Sequence, residues 1–174
     1  MGTKNSAHFL TTLTNMIKYF NSMVVFEEIP KEITLAINIT NCPCRCKGCH
    51  SKFLWEDIGI ELTNEELDRL IEKNDGITCV CFMGGDREPK ELNKLAEHIL
   101  YTPKYDGIKV GWYSGMDELS SDIELELFDY IKIGHYDMEK GGLNKKGTNQ
   151  HLYKVIPNKE YYELEDITFL FKQK

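Results

Sequence analysis

The chain has 174 residues, 41% hydrophobic and 28% charged, with 28 acidic against 21 basic side chains and a formal net charge of -7. That length suits one domain with a core of its own, and an acidic balance without a basic stripe argues against nucleic-acid binding. No apolar run reaches membrane-spanning length, and the first twenty residues are broken by polar side chains and lack a signal-peptide core, so no membrane partner and a cytoplasmic location are expected.

Residues 1–15 carry little pattern and read as a loose, disordered extension, with 16–174 as the single domain and Met16 or Met23 as alternative starts. Val24 to Phe26 suggests a short edge strand before Pro30. Ile33 to Ile39 alternates apolar with smaller or polar residues, which suits a strand. Thr63-Asn64-Glu65-Glu66 is a capping-box signature, and Leu67, Leu70 and Ile71 continue it as a helix that Gly76 ends. Thr78 to Met83 reads as a buried strand broken by Gly84-Gly85. Pro89 suits the first turn of a second helix, whose inner face is Leu92, Leu95, Ala96 and Ile99. Ile108 to Tyr113 is the next strand, Asp122 to Leu127 a short helix and Tyr130 to Ile133 a fourth strand ended by Gly134. Residues 139–150 read as a loop, and Asp166 to Phe171 as a last strand or edge segment. Strands alternating with helices imply a parallel sheet with right-handed crossovers.

Chemistry gathers after the strands. Asn41 to His50 reads NCPCRCKGCH, which spaces Cys42, Cys46 and Cys49 as C-x3-C-x2-C. Three thiolates hold three corners of a four-iron cluster and leave the fourth iron open to a substrate or cofactor, whereas a full cage takes four cysteines. Four of the six cysteines fall within eight residues; such clustering in a chain with no mark of export favours metal over disulfides. Cys79 and Cys81 read as small buried residues on one strand face. Gly84-Gly85-Asp86 follows the second strand, Ser114-Gly115 the third and Gly134-His135 the fourth. In parallel sheets such loops meet at one edge, where ligands bind. The glycine pair lets a ligand approach the backbone, and Asp86 or Glu88 offers a carboxylate to a cationic amine.

The cysteine triplet followed by the Gly-Gly-acidic turn resembles the radical S-adenosylmethionine superfamily. Trp55, the Trp112-Tyr113-Ser114-Gly115 segment and Gly147-Thr148-Asn149-Gln150 narrow the likeness to the activating proteins of anaerobic ribonucleoside-triphosphate reductase, over about residues 16 to 171. The resemblance implies an incomplete parallel (β/α) barrel open at one side. It implies a 4Fe-4S cluster on Cys42, Cys46 and Cys49, with S-adenosylmethionine on its fourth iron. It further implies an oxidoreductase that generates a glycyl radical on the reductase, with a small redox protein such as flavodoxin as electron donor. Carried over by position, Gly48, Cys49 and His50 lie near the cofactor; Gly84, Gly85 and Asp86 contact its methionyl amine; Ser114 is a further contact. No general acid or base is required. His50 departs from the aromatic or hydrophobic residue usual at its position, and Gly-Gly-Asp-Arg-Glu-Pro departs from Gly-Gly-Glu-Pro, which leaves the amine to Asp86 or Glu88. A fourth thiolate would block the open iron, so Cys44 is expected to point away.

Other readings compete. Cys42, Cys44, Cys46, Cys49 and His50 could hold a structural zinc, but such sites usually join two separated ligand pairs. Cys46-Lys47-Gly48-Cys49 lacks the helix-opening context of a thiol redox motif. An activase of another glycyl-radical enzyme, or another small radical enzyme, shares the triplet. Among the remaining histidines, His135 could line the cleft, while His8, His98 and His151 are expected at the surface. The Lys140 to Lys146 loop reads as a solvated turn or a face toward the partner enzyme, and Trp112 and Tyr113 read as core.

Overall fold

The computed structural model describes residues 16–159 and 161–172; the expected extension over 1–15 and His8 lie outside them. Ten regular elements follow in chain order: β1 (Lys18–Val25), β2 (Thr34–Ile39), β3 (Ile60–Glu61), α1 (Asn64–Lys73), β4 (Cys79–Met83), α2 (Pro89–Tyr101), β5 (Lys109–Tyr113), β6 (Tyr130–Ile133), β7 (His151–Pro157) and β8 (Tyr162–Asp166). The strands form one sheet in the order β3-β1-β2-β4-β5-β6-β7-β8. Its centre, β2-β4-β5-β6, is parallel, and both flanks are antiparallel.

Local chemistry accounts for the two helices. The Thr63 hydroxyl accepts the Glu66 N–H at 3.2 Å, which satisfies one of the free donors at the start of α1. Pro89 occupies the first turn of α2, where its missing N–H costs nothing. Leu67, Leu70 and Ile71 of α1 and Leu92, Leu95, Ala96 and Ile99 of α2 pack with Ile37, Val80, Phe82, Val110, Trp112 and Ile131 of the central strands. The opposite face is covered by turns and a C-terminal 3-10 segment, Thr168–Lys172, around Ile29, Cys79, Cys81, Tyr130, Leu143, Leu152 and Ile167. Both faces of β4 are therefore covered, which explains its unbroken apolar sequence CVCFM. Cys79 and Cys81 are fully buried, as expected.

The expected incomplete (β/α) barrel is overturned. The chain forms an open mixed sheet of eight strands with only two α-helices among the described residues. A barrel of that kind needs a helix after each parallel strand. Here the β5-to-β6 crossover holds only a 3-10 turn, Leu125–Leu127. The Asp122–Leu127 helix does not form; the Ser120 hydroxyl takes the Asp122 N–H at 3.3 Å, a local bond that competes with helix. After β6 the chain turns back antiparallel as β7 and β8, so the sheet gains an edge instead of curving towards closure.

Three further differences concern the flanks. β1 is eight residues long, not a short edge segment, and pairs with both β2 and β3. The Asp166–Phe171 region bends into the 3-10 segment because the Asp166 carboxylate accepts the Thr168 N–H at 2.8 Å. His98, expected at the surface, is half-buried with Nε2 2.7 Å from the Asp68 carboxylate.

Candidate metal centre

The parallel core brings the four strand-end loops to one edge. The cysteine loop leaves β2 at Thr40, whose hydroxyl donates to Ile58 O at 2.7 Å. Its two ends are pinned together where Asn41 N–H donates to Glu56 O and Cys42 N–H to Leu54 O. Between them Cys49 N–H donates to Cys46 O at 3.1 Å, closing a turn that holds two of the three expected ligands together. The Ser51 N–H points at Cys49 Sγ, 3.4 Å away. Cys42, Cys44, Cys46 and Cys49 are all half-buried free thiols.

Cys44 reaches across to the β5 loop. Its Sγ lies 3.7 Å from Met116 Sδ, and a Cβ on Gly115 would stand 2.6 Å from that sulfur. Its thiol also hydrogen-bonds Cys42. That bond favours the Cys42 thiolate and pushes its pKa down to about 6. The same bond, with burial and the nearby Asp86 charge, drives the Cys44 pKa up.

The glycine turn faces this loop. Gly84 and Gly85 have φ of +107° and +90°, a region that favours glycine, and a Cβ on Gly84 would come within 3.3 Å of Ile39 O. Trp112 Nε1 donates to Gly84 O at 2.8 Å, so this buried indole holds the turn from the β5 side. Asp86 accepts the Ser114 hydroxyl and the Gly115 N–H, and Arg87 Nε donates to Asn41 O at 3.3 Å. Glu88 instead occupies the position preceding α2. A cleft of about 510 Å³ results, lined by Pro43, Cys44, Asp86, Met116, Asp117 and His135 among others. All the expected site residues thus lie on the four loops around one edge of the sheet.

Several residues at this edge escaped the sequence reading. Lys132 of β6 is buried, and its Nζ donates to Ser114 O at 3.2 Å and Gly134 O at 2.6 Å. Burial pushes its pKa down to about 8 against the pull of Asp86, Cys46, Cys44 and Asp117. A lysine inside the apolar run Tyr-Ile-Lys-Ile was the available signal. His135, which the sequence left as either a surface or a cleft residue, lines the cleft, with Nδ1 2.7 Å from the Asp117 carboxylate. The Gly147–Gln150 segment buttresses it from behind: Asn149 Nδ2 donates to His135 O at 2.9 Å. Tyr136 and Met138 touch the cysteine loop at His50 and Gly48.

The donor set fits an iron-sulfur cluster. Three thiols sit on one loop, two are joined by a backbone turn, and one receives a peptide N–H. Among the described residues no three His, Cys, Asp or Glu side chains converge on a single ion's position. Cluster thiolates need no such convergence, because each binds a different iron.

Fold and site together define an iron-sulfur α/β protein with its ligand loop after the first parallel strand. A family model described as a 4Fe-4S single cluster domain matches residues 33–156, from the start of β2 into β7. The chain belongs to that family and contains a 4Fe-4S cluster-binding domain. No curated protein and no solved structure matches it. Among the described residues no helix is long and apolar enough to cross a membrane.

Proposed function

We propose that this chain is a radical S-adenosylmethionine enzyme: the activase that installs a glycyl radical on anaerobic ribonucleoside-triphosphate reductase. The observation that supports it best is the cysteine loop meeting the glycine turn at one sheet edge: Arg87 of that turn donates to Asn41 O, and Pro43 and Cys44 of the loop line one cleft with Asp86. Three protein ligands leave one iron for a small molecule, and the facing turn offers backbone and carboxylate groups to hold it. When bound, the cluster would supply one electron to S-adenosylmethionine and so break its carbon–sulfur bond, the chemistry that would remove a hydrogen atom from the reductase glycine.

The chain's own residues bind and orient in this reading. Cys42, Cys46 and Cys49 hold the irons. Gly84 and Gly85 let the cofactor approach the backbone. Asp86 takes the methionyl amine, because it lines the cleft while Glu88 precedes α2. Ser114 holds the Asp86 carboxylate, and Gly48 and His50 flank the last ligand. Met116 and His135 close the cleft on its far side. The enzyme works in the cytoplasm, and a small redox protein such as flavodoxin supplies the electron.

The test is anaerobic reconstitution with iron and sulfide. A brown protein that, with S-adenosylmethionine and a reductant, releases methionine and 5′-deoxyadenosine supports the reading. Adding the reductase must then give a glycyl radical by electron paramagnetic resonance. A radical with another glycyl-radical enzyme and none with the reductase moves the assignment to that enzyme's activase. A colourless protein holding one zinc ends the enzymatic reading.

A further inference from the structure

We propose that the segment His135–Met138, which leaves the end of β6, is a retaining strap for the cluster, with Tyr136 and Met138 as its positioning residues. This rests on the cluster alone and does not require cleavage of S-adenosylmethionine.

The strap has a fixed base. Gly134 N–H donates to Met116 O at 2.6 Å, and Gly134 O accepts from the buried Lys132 ammonium. His135 O accepts from Asn149, and the His135 N–H and ring both meet the Asp117 carboxylate. Beyond that base the strap crosses to the cysteine loop and touches it twice. The Tyr136 hydroxyl and His50 Nε2 share a hydrogen bond at 2.9 Å, with the two rings packed edge to face at 5.2 Å. The Met138 side chain lies over Gly48: a Cβ there would meet Met138 Cβ and Sδ at 3.1 Å.

These contacts fall on the two residues that flank Cys49 in sequence, one on each side. The cysteine loop needs such help. Its ends are pinned at Asn41 and Cys42, Cys44 meets Met116, and the Cys46–Cys49 turn orders its far side, but Arg45, just before that turn, holds a left-handed φ of +44°. Ordering a loop costs roughly 1–2 kcal/mol per residue in backbone entropy, and contacts made from outside the loop offset part of that cost. The strap supplies that support from a base on the sheet itself. Met138 is 61% exposed, so its position over Gly48 is a cover rather than a piece of the core.

The test uses the full chain, reconstituted anaerobically, and follows iron release to a bathophenanthroline chelator. Tyr136→Phe and His50→Phe each keep an aromatic ring and lose the shared hydrogen bond. Each is expected to speed release on the order of 5-fold, about what one hydrogen bond supplies. The double variant is expected to release iron no faster than the faster single one, because the two residues share one bond. Met138→Ala uncovers Gly48 and is expected to speed release independently. The thermal midpoint of the iron-free proteins is expected to stay at the wild-type value. Unchanged release in Tyr136→Phe, independent addition of the Tyr136 and His50 effects, or an equal loss of stability in the iron-free variants would each overturn the strap. A wild-type chain that takes up no iron and sulfide overturns it together with the cluster.

Discussion

The Asp86 carboxylate accepts the hydroxyl of Ser114 across the parallel β4–β5 pair, and its second oxygen accepts the Gly115 N–H at 3.2 Å. One side chain therefore fixes the glycine turn after β4 to the turn after β5. Two oxygens carry about four acceptor positions, so two such bonds leave capacity for a cationic amine. Ser114 is 1% exposed, and removing its acceptor strands a buried donor. Asp86→Ala is expected to cost roughly 1–3 kcal/mol and Ser114→Ala roughly 1 kcal/mol, by urea unfolding of the iron-free protein. Both are also expected to weaken S-adenosylmethionine binding, Asp86→Ala the more. Equal stability of Asp86→Ala and wild type would show that the two loops are not coupled through this residue.

Much of this edge was legible because strand ends carry short-range signals. Glycine pairs, a cysteine run and a Ser-Gly break each mark where a strand stops, and β6 was read to its exact bounds from Tyr130 to Ile133. What the sequence could not carry was the return of the chain. The buried residues of β7, Leu152 and Val155, lie three apart on opposite faces of the sheet, so no period-2 pattern marks the strand, and the preceding Gly, Lys and Asn-rich loop hides its start. The barrel expectation failed for a related reason. A β-α-β order says that strands run parallel, but closure depends on crossovers long enough to hold a helix, and the β5-to-β6 link turns on Ser120 and Leu125 instead. The cysteine chemistry survives this correction because it needs only adjacent parallel strand ends, which an open sheet supplies equally well. Lys132 was hidden because a charge in a strand reads as an exposed face, and only the carbonyls of Ser114 and Gly134 reveal it as buried and satisfied.

Cys44 tests the division of labour within the loop. It is engaged by Met116 and by the Cys42 thiol and was expected to lie off the cluster. Cys44→Ala is expected to bind four irons after reconstitution, with the electron paramagnetic resonance spectrum of the reduced cluster close to wild type. Cys46→Ala and Cys49→Ala each remove a corner and are expected to lose most of the iron. A Cys44→Ala protein without iron would make Cys44 a ligand and close the fourth corner that the proposed function requires.

Gly134 and Gly76 separate backbone strain from steric clash. Both hold left-handed φ, +106° and +84°. A Cβ on Gly134 would stand 2.4 Å from Asn149 O and 2.9 Å from Gln150 Cα, while one on Gly76 would meet nothing within 4 Å. Gly76→Ala is expected to cost about 1 kcal/mol from the strained φ alone. Gly134→Ala adds a backbone clash at the base of His135 and is expected to cost more than ~2 kcal/mol. Urea midpoints of the two variants provide the comparison; similar values would mean that the Asn149 backbone yields without cost.

Lys132 gives the edge a pH signature. Burial lowers its pKa in the folded protein to about 8, against about 10.4 in the unfolded chain. Between those values the unfolded chain still holds the proton that the folded protein has released, so this residue's contribution to stability rises with pH across that window. The size is on the order of 3 kcal/mol at 1.36 kcal/mol per pKa unit. Below pH 8 the ammonium is charged in both states and the penalty is constant. The difference in unfolding free energy between wild type and Lys132→Met cancels the other titrating groups, and in iron-free protein it is expected to climb from about pH 8 to pH 10.5. A flat difference would mean that Lys132 is solvated. With the cluster in place, three thiolates outweigh the positive charge of the iron–sulfide core, and the net negative charge holds the ammonium's proton more tightly. The rise should then begin at higher pH, an upward move of the window that reports the cluster's charge at this lysine without any measurement of catalysis.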